Sequence, residues 1–313
     1  MARYEIYGHT ETGRVRARNE DHLLVGRWVK NRGAMGLWLA PDDDFIAAYG
    51  LLLAVADGIG GERHGATASR LALITLERHF YGTVKNPTLE AFQQALESAL
   101  QHANAAVRSA AEGHPDLAGM GCTLAGVCLT PAGYLVFGCG DSRVYRSRHA
   151  LLKPLTADDT VGQREVRLGL LDPAAARDQD RTRTLVRWVG SDRFLSHLEP
   201  GPELRAGDRL LICTDGLHDL VGDDDLAAAL NDDQAPLDRL GQGLAQRALD
   251  AAGDDNLSLI LFRAAADDEP TADAASDPAQ DSTGETILSP RPLAGERLGV
   301  RAAIANLTED PNP

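Results

Sequence analysis

Short apolar runs bounded by glycine, proline or aspartate recur through the first 263 residues of the chain. Eight of them, at 3–7, 21–28, 50–56, 122–129, 133–138, 143–148, 209–213 and 257–262, have the length and the Val, Leu, Ile and Cys content of β-strands. "TPAGY" at 130–134 reads as a tight hairpin, and "GDS" at 140–142 is short enough to predict antiparallel neighbours on either side of it. Helical periodicity takes over at 66–80, where Leu71, Ala72, Thr75, Leu76 and Phe80 share a face. It returns at 88–112, where Leu89, Phe92, Leu96, Leu100, Ala103 and Val107 do the same, with Asn86-Pro87 as the expected cap and first-turn proline. Two shorter amphipathic stretches follow at 223–231 and 235–251. Strands in runs and helices in pairs predict an α+β fold of antiparallel sheets covered by helices, not a parallel βαβ array. Residues 30–44 read as a loop in the early hairpin, and the polar, arginine-rich stretch 157–207 as a partly irregular surface subdomain between core strands.

Composition narrows the setting. The chain has 313 residues, 43% of them hydrophobic and 25% charged, enough for a full core. No stretch approaches the ~18–20 apolar residues of a membrane span, and the start has no signal-peptide core, so a cytoplasmic protein without a membrane partner is expected. Cys122, Cys128, Cys139 and Cys213 lie in apolar, strand-like segments without CxxC spacing, which predicts reduced core thiols. The net charge of −15 argues against a nucleic-acid partner. Nearly half of it falls in residues 264–313, with ten acids against three arginines, six of the fifteen prolines and no aromatic residue. That segment reads as a disordered tail, since it holds too little apolar surface to offset the entropy of ordering.

Five acidic motifs share one design, a carboxylate at a strand end beside Gly, Ser or Asn. They are Asp21 in "RARNEDHLLV", Asp57 in "AVADGIGG", Asp141 in "FGCGDSRVY", Asp215 in "LICTDGLHD" and Asp255 in "GDDNLSLIL". Taken singly, Asp-Gly after a strand is a turn, and Glu20-Asp21 is a solvated strand start. Repeated five times, the design predicts acids packed together, which repel unless cations hold them. Oxygen-only donors suit Mg²⁺ or Mn²⁺, and the lack of candidate His or Cys ligands argues against zinc.

The ordered set "VRARNED", "VADGIGG", "GMGCTLAG", "GCGDSRVYR", "LTADD", "LICTDGLHD" and "GDDNLSLIL" resembles the metal-dependent type 2C serine/threonine protein phosphatases over residues 5–263. It is most similar to the small bacterial members, and "MGCTL" with the early tryptophan-bearing insertion resembles the phosphatase associated with type VI secretion. The resemblance implies an αββα sandwich, two antiparallel sheets with helices on both outer faces. It implies a catalytic domain over 1–263, with a flap subdomain at about 157–207 and the tail at 264–313. It also implies two or three Mn²⁺ or Mg²⁺ ions. Asp57 would bridge two of them, with the Gly58 carbonyl as a further ligand. Asp215 and Asp255 would complete the first ion, Glu20 and Asp21 would hold waters around the second, and Asp141 with Asp215 would make a third, weaker site. Arg16 aligns with the arginine that grips the substrate phosphate. A water shared by two ions attacks phosphorus directly in this chemistry, so no Ser or Cys nucleophile is required.

The expected partners are phosphoserine and phosphothreonine proteins and a cognate serine/threonine kinase, with the enzyme itself a monomer. "GETILSPRP" around Thr286 suggests a site for a forkhead-associated domain protein, against the plainer reading of a solubilising tail. Ile59 stands where some relatives carry a His, which leaves the leaving-group acid unassigned. "DDT" at 158–160 replaces the usual "DHS", and "LVRWVGSD" at 185–192 is also unusual, so both changes fall on the flap that faces substrate. His218 reads as a helix-start or loop histidine, not as a ligand. Two other readings remain, a phosphoprotein-binding scaffold without turnover and a small phosphate-ester hydrolase. The intact Asp57, Asp215 and Asp255 set favours turnover over the first.

Overall fold

The computed structural model describes residues 3–60, 64–83, 88–112, 114–117, 119–172 and 183–265. The chain opens with β1 (Arg3–Glu11), β2 (His22–Val25), β3 (Trp28–Lys30) and β4 (Gly33–Leu39), then α1 (Asp44–Tyr49), β5 (Leu51–Ala56) and the short β6 (Gly58–Ile59). Two long helices follow, α2 (His64–Thr83) and α3 (Leu89–Ala111). The middle is β7 (Gly121–Cys122), β8 (Leu124–Thr130), β9 (Gly133–Cys139), β10 (Arg143–Arg148) and β11 (Leu151–Pro154), with α4 (Val161–Arg167) and β12 (His197–Pro200) after it. The last part is β13 (Arg209–Cys213), α5 (Asp215–His218), α6 (Asp223–Leu230), α7 (Leu237–Ala251) and β14 (Leu257–Ala265).

These strands form two six-stranded sheets, β11-β10-β13-β14-β1-β4 and β12-β9-β8-β5-β2-β3, with β6 and β7 as a separate pair. All the ladders are antiparallel. The run "LLLAVA" of β5 shows how sequence becomes layer. Successive side chains on a strand face opposite ways, so Leu51, Leu53 and Val55 enter the core between the sheets with Ile212, Ile260 and Phe262. Leu52, Ala54 and Ala56 pack outward against Leu71, Leu76, Phe80 and Leu100 of α2 and α3. The other sheet has the same arrangement, with Tyr7, Leu211, Leu259 and Leu261 facing Leu226, Leu240 and Leu244 of α6 and α7. Both faces of each sheet are therefore covered, which is why β5 is apolar at every position. The expected sandwich of two antiparallel sheets between helical layers is the observed fold.

Four expectations need correction. Residues 33–39 form β4, an edge strand on β1, and not a loop. Gly33 and Gly36 break up its alternation, yet Met35, Leu37 and Leu39 pack toward the inter-sheet core while Trp38 is left 66% exposed. The "GDS" link does not join neighbours, because β9 lies in one sheet and β10 in the other. Gly140, at φ 101°, makes that crossing possible in three residues. Thr88 is the N-cap of α3, its hydroxyl accepting from Ala91 N, while Asn86-Pro87 falls outside the described residues. Finally, β14 runs to Ala265, two residues into the segment read as tail. The rest of that segment, Thr286 included, lies outside the described residues. The hairpin at 130–134 is as expected, closing β8 on β9 with Thr130 opposite Gly133. The four cysteines are free and buried. Among the described residues no helix is long and apolar enough to cross a membrane.

Candidate metal and phosphate site

Strand register places the five acidic motifs at one end of the sandwich. In one sheet His22 pairs with Ala56, Val55 with Ala125 and Leu124 with Cys139. The start of β2, the end of β5, the start of β8 and the end of β9 therefore share an edge, with Asp21, Asp57 and Asp141 just beyond it. In the other sheet Cys213 pairs with both Arg143 and Leu259, and Glu11 with Leu257. Asp215 and Asp255 thus leave the same end, and Glu20 is carried there by the loop between β1 and β2.

The acids are close enough to act on one another. Burial and the neighbouring Asp21, Asp215, Asp141 and Asp255 push the Asp57 carboxyl well above the usual carboxylate range. Burial raises Asp21 to about 7; the Thr214 hydroxyl works against that shift, and Asp215 and Asp255 add to it. Asp141 is raised by burial and by Asp215 and Asp158, and Asp215 by burial, with Asp255 adding to the shift. Glu20 is 7% exposed and Asp21 fully buried. Arg16 reaches the same group of acids, its Nη2 donating to Asp255 Oδ2 at 2.8 Å, with Glu20 and Asp57 also within electrostatic range.

Hydroxyl and amide groups at the strand ends hold the acids in place. Asp57 N donates to Thr123 Oγ1 at 3.0 Å, and Thr123 N donates back to Asp57 O at 2.8 Å. Thr214 Oγ1 donates to Asp21 Oδ2 at 2.8 Å. Asn256 clamps the β1–β2 loop, its Nδ2 donating to the Thr12 and Arg18 carbonyls and its Oδ1 accepting from Glu20 N. Ser69 Oγ donates to Glu20 O at 2.5 Å and lies 2.9 Å from His22 Nδ1. His218, at the end of the four-residue α5, bonds the Asp141 carbonyl through Nε2 at 3.0 Å, so it is a positioning group on this helix and not part of the acid set. The sequence reading missed these partners. Their signal is a lone Thr, Ser or Asn at the last or first position of an otherwise apolar strand, as in "LLICTD" and "DNLSL".

The altered "DDT" has three separate duties. Asp158 takes a two-pronged contact from Arg143 at 2.9 and 2.7 Å, Asp159 accepts from Gly140 N at 3.3 Å, and Thr160 caps α4 through Gln163 N. Ile59 pairs with Gly121 in the small β6–β7 ladder.

The donor set fits a hard divalent cation. Asp21 Oδ1 is buried with no hydrogen-bond partner, and such a group is costly unless something positive meets it. The backbone at Gly58 is also kept bare, since a Cβ there would come within 2.3 Å of the Gly65 carbonyl. Among the described residues no group of three or more His, Cys, Asp or Glu side chains stands close enough together to hold a metal ion as placed, so the fit rests on the donor chemistry and on the orphaned Asp21 oxygen. The Gly58 contact gives a prediction. Gly58→Ala overfills the loop next to Asp57, so it is expected to destabilise the fold by roughly 1–3 kcal/mol. Thermal melting of variant and parent measures this, and an unchanged Tm would mean that β6 and the first turn of α2 are not packed together.

Comparison with known proteins agrees. The sequence profile of the family described as "Protein phosphatase 2C" matches residues 40–261. Serine/threonine protein phosphatase PstP of Mycobacterium tuberculosis is 34% identical over 239 residues, 76% of this chain and 45% of its own. The chain thus spans about half the length of that relative. The crystal structure of the catalytic domain of PstP in complex with two manganese ions has a TM-score of 0.66 at 30% identity, covering 84% of this chain and all of that one. The structure of PppA, a key regulatory component of T6SS in Pseudomonas aeruginosa, has a TM-score of 0.66 at 26% identity, covering 83% and 97%. With its acid-bearing strand ends gathered at one end of a two-sheet sandwich, the chain belongs to the protein phosphatase 2C family.

Proposed function

We propose that the chain removes phosphate from phosphoserine and phosphothreonine in proteins, using divalent cations held by its clustered carboxylates. The observation that carries this reading is the convergence of five aspartates from five strand ends, each of the four most buried pushed toward its neutral form by burial and its neighbours. Asp57 is the proposed bridging ligand with the Gly58 carbonyl beside it. Asp215 and Asp255 would hold one ion, Glu20 and Asp21 would hold waters of a second, and Asp141 with Asp215 would hold a third. When bound, two such ions supply a water of lowered pKa as the nucleophile and positive charge for the phosphoryl oxygens. The residues of the chain do the rest. Thr123 and Thr214 fix the Asp57 backbone and the Asp21 carboxylate, and Asn256 fixes the loop that carries Arg16. Arg16 offers its planar guanidinium to the phosphate oxygens from the rim.

The test is phosphate release from a phosphothreonine peptide with Mn²⁺ and with EDTA, in the parent and in Arg16→Ala. Turnover that depends on Mn²⁺, with KM raised about tenfold and kcat less affected in the variant, is the expected result. Metal binding without turnover of any phosphopeptide would replace this reading with that of a phosphoprotein-binding scaffold.

A further inference from the structure

A cavity of about 640 Å³ opens beside the acid cluster, and its lining is opposite in charge. The last turns of α4 contribute Arg164 and Arg167, and the segment before β12 contributes Arg187 and Arg193. Its one carboxylate is Asp159, only 1% exposed at the side chain. Asp159 Oδ1 lies 3.3 Å from Arg187 Nη1 and 3.3 Å from His197 Nε2, and its Oδ2 accepts from Gly140 N at 3.3 Å. Gly140 immediately precedes Asp141, so the floor of the cavity and the acid cluster share one piece of backbone. The guanidinium groups of Arg164, Arg167 and Arg193 have no carboxylate or hydrogen-bond partner among the described residues. Leu168 and Leu195, 62% and 53% exposed, add an apolar edge.

Four guanidinium groups facing one carboxylate is an unfavourable arrangement in isolation, and an incoming anion relieves it. Guanidinium forks match carboxylate and phosphate oxygens in pairs, and a cleft lined by one sign of charge focuses its field on a ligand. The rest of the chain works the other way, since its net charge of −15 repels acidic proteins at a distance. A local basic cavity is what would hold an acidic segment against that background. We propose that this arginine-lined cavity beside the acid cluster receives an anionic side chain of the protein substrate, a carboxylate or a second phosphate, and so selects phosphosites set in acidic segments. The proposal rests on the phosphatase reading and names the substrate class for that site.

The experiment compares the parent with Arg164→Ala/Arg193→Ala, two exposed positions that bond none of the five aspartates, in the full chain with Mn²⁺. The substrates are p-nitrophenyl phosphate and three phosphothreonine peptides, one flanked by Glu, one by Gln and one by a second phosphoserine. The parent is expected to favour the Glu or the phosphoserine peptide over the Gln peptide by about tenfold in kcat/KM, mostly through KM. Whichever is favoured tells a carboxylate from a second phosphate. The double variant should lose the preference, while p-nitrophenyl phosphate turnover stays within about twofold of the parent. Anisotropy of the labelled peptides should rank them in the same order without any need for turnover. Equal handling of all three peptides by the parent, or a preference that survives the double substitution, overturns the proposal. A parent that hydrolyses none of the four substrates would count against the phosphatase reading, and the anisotropy ranking would still decide the role of the cavity.

Discussion

Asp57→Asn is expected to cut phosphothreonine-peptide turnover by about 10³-fold or more, and at the same time to raise the melting temperature of the EDTA-treated protein. The two effects come from one side chain with two environments. With cations bound, Asp57 is the proposed shared anion between them. An amide of the same shape keeps the packing but removes the charge, and a loss of about 10³ corresponds to roughly 4 kcal/mol of barrier. Without cations the same carboxylate is a liability. Burial and four neighbouring aspartates disfavour its charged form, so the neutral amide removes a repulsion and stabilises the fold. The amide does not disturb the local bonds, since the Asp57 backbone N and O are what Thr123 holds. Steady-state kinetics and melting of one protein preparation measure both. Activity within tenfold of the parent would remove Asp57 from the proposed role. Low activity together with a lower melting temperature in EDTA would make it a structural residue.

Much of the fold was legible because burial on two faces leaves a plain trace. A strand such as 51–56 that meets a sheet on one side and a helix on the other is apolar throughout, and its ends are marked by the first polar residue. The same logic hid β4. As an edge strand it buries only one face, and its glycines at 33 and 36 remove half of the alternation that would have marked it. The "GDS" corner failed for another reason. Three residues between strands set a chain reversal, but they do not say whether the second strand returns to the same sheet or crosses to the facing one. That choice depends on Gly140 at φ 101° and on the Asp159 bond to its amide, and Asp159 lies nineteen positions away.

The acids of the site were legible as a repeated motif, and the residues that orient them were not. Aspartate before or after a buried strand is conspicuous in a string of letters. Thr123, Thr214 and Asn256 look like ordinary strand-end polar residues until register brings Thr214 to Asp21, 193 positions away, and Asn256 to Glu20, 236 positions away. Long-range pairing of this kind is a property of the ladder and has no local signature. The arginine cavity is a similar case. Arg164, Arg167, Arg187 and Arg193 are dispersed over thirty positions of a segment that reads as irregular, and they meet only because Val189 bridges to Cys122 and Leu185 to Thr160.

The same electrostatics sets how stability should depend on pH and metal. In the unfolded chain an aspartate titrates near its ordinary value of about 3.9. In the folded, metal-free protein burial lifts Asp21 to about 7, opposed by the Thr214 hydroxyl and reinforced by Asp215, while Asp57, Asp141 and Asp215 also move upward. Between those values the folded state binds more protons than the unfolded one, so the stability of the fold falls as pH rises through the folded values. One buried group acts in the opposite sense. Burial, with Arg70 adding, lowers His22 to about 3, so below about pH 6.5 the unfolded chain gains a proton that the fold refuses. A comparison at about pH 6.5 and about pH 8 leaves most of the His22 effect behind, and the four cysteines, also raised by burial, add to the aspartates in the same sense near pH 8. The EDTA-treated protein is expected to melt several degrees higher at the lower pH, on the scale of roughly 1–2 kcal/mol. Saturating Mn²⁺ should raise the melting point at both values and more at about pH 8, where no protons compete for the ligands, with a gain of about 2.7 kcal/mol at a hundredfold excess over Kd. Calorimetry of the four samples measures this. A metal-free protein that is more stable at about pH 8, or one that Mn²⁺ leaves unchanged, would mean that the five aspartates are not the cation site and that their clustering serves the fold alone.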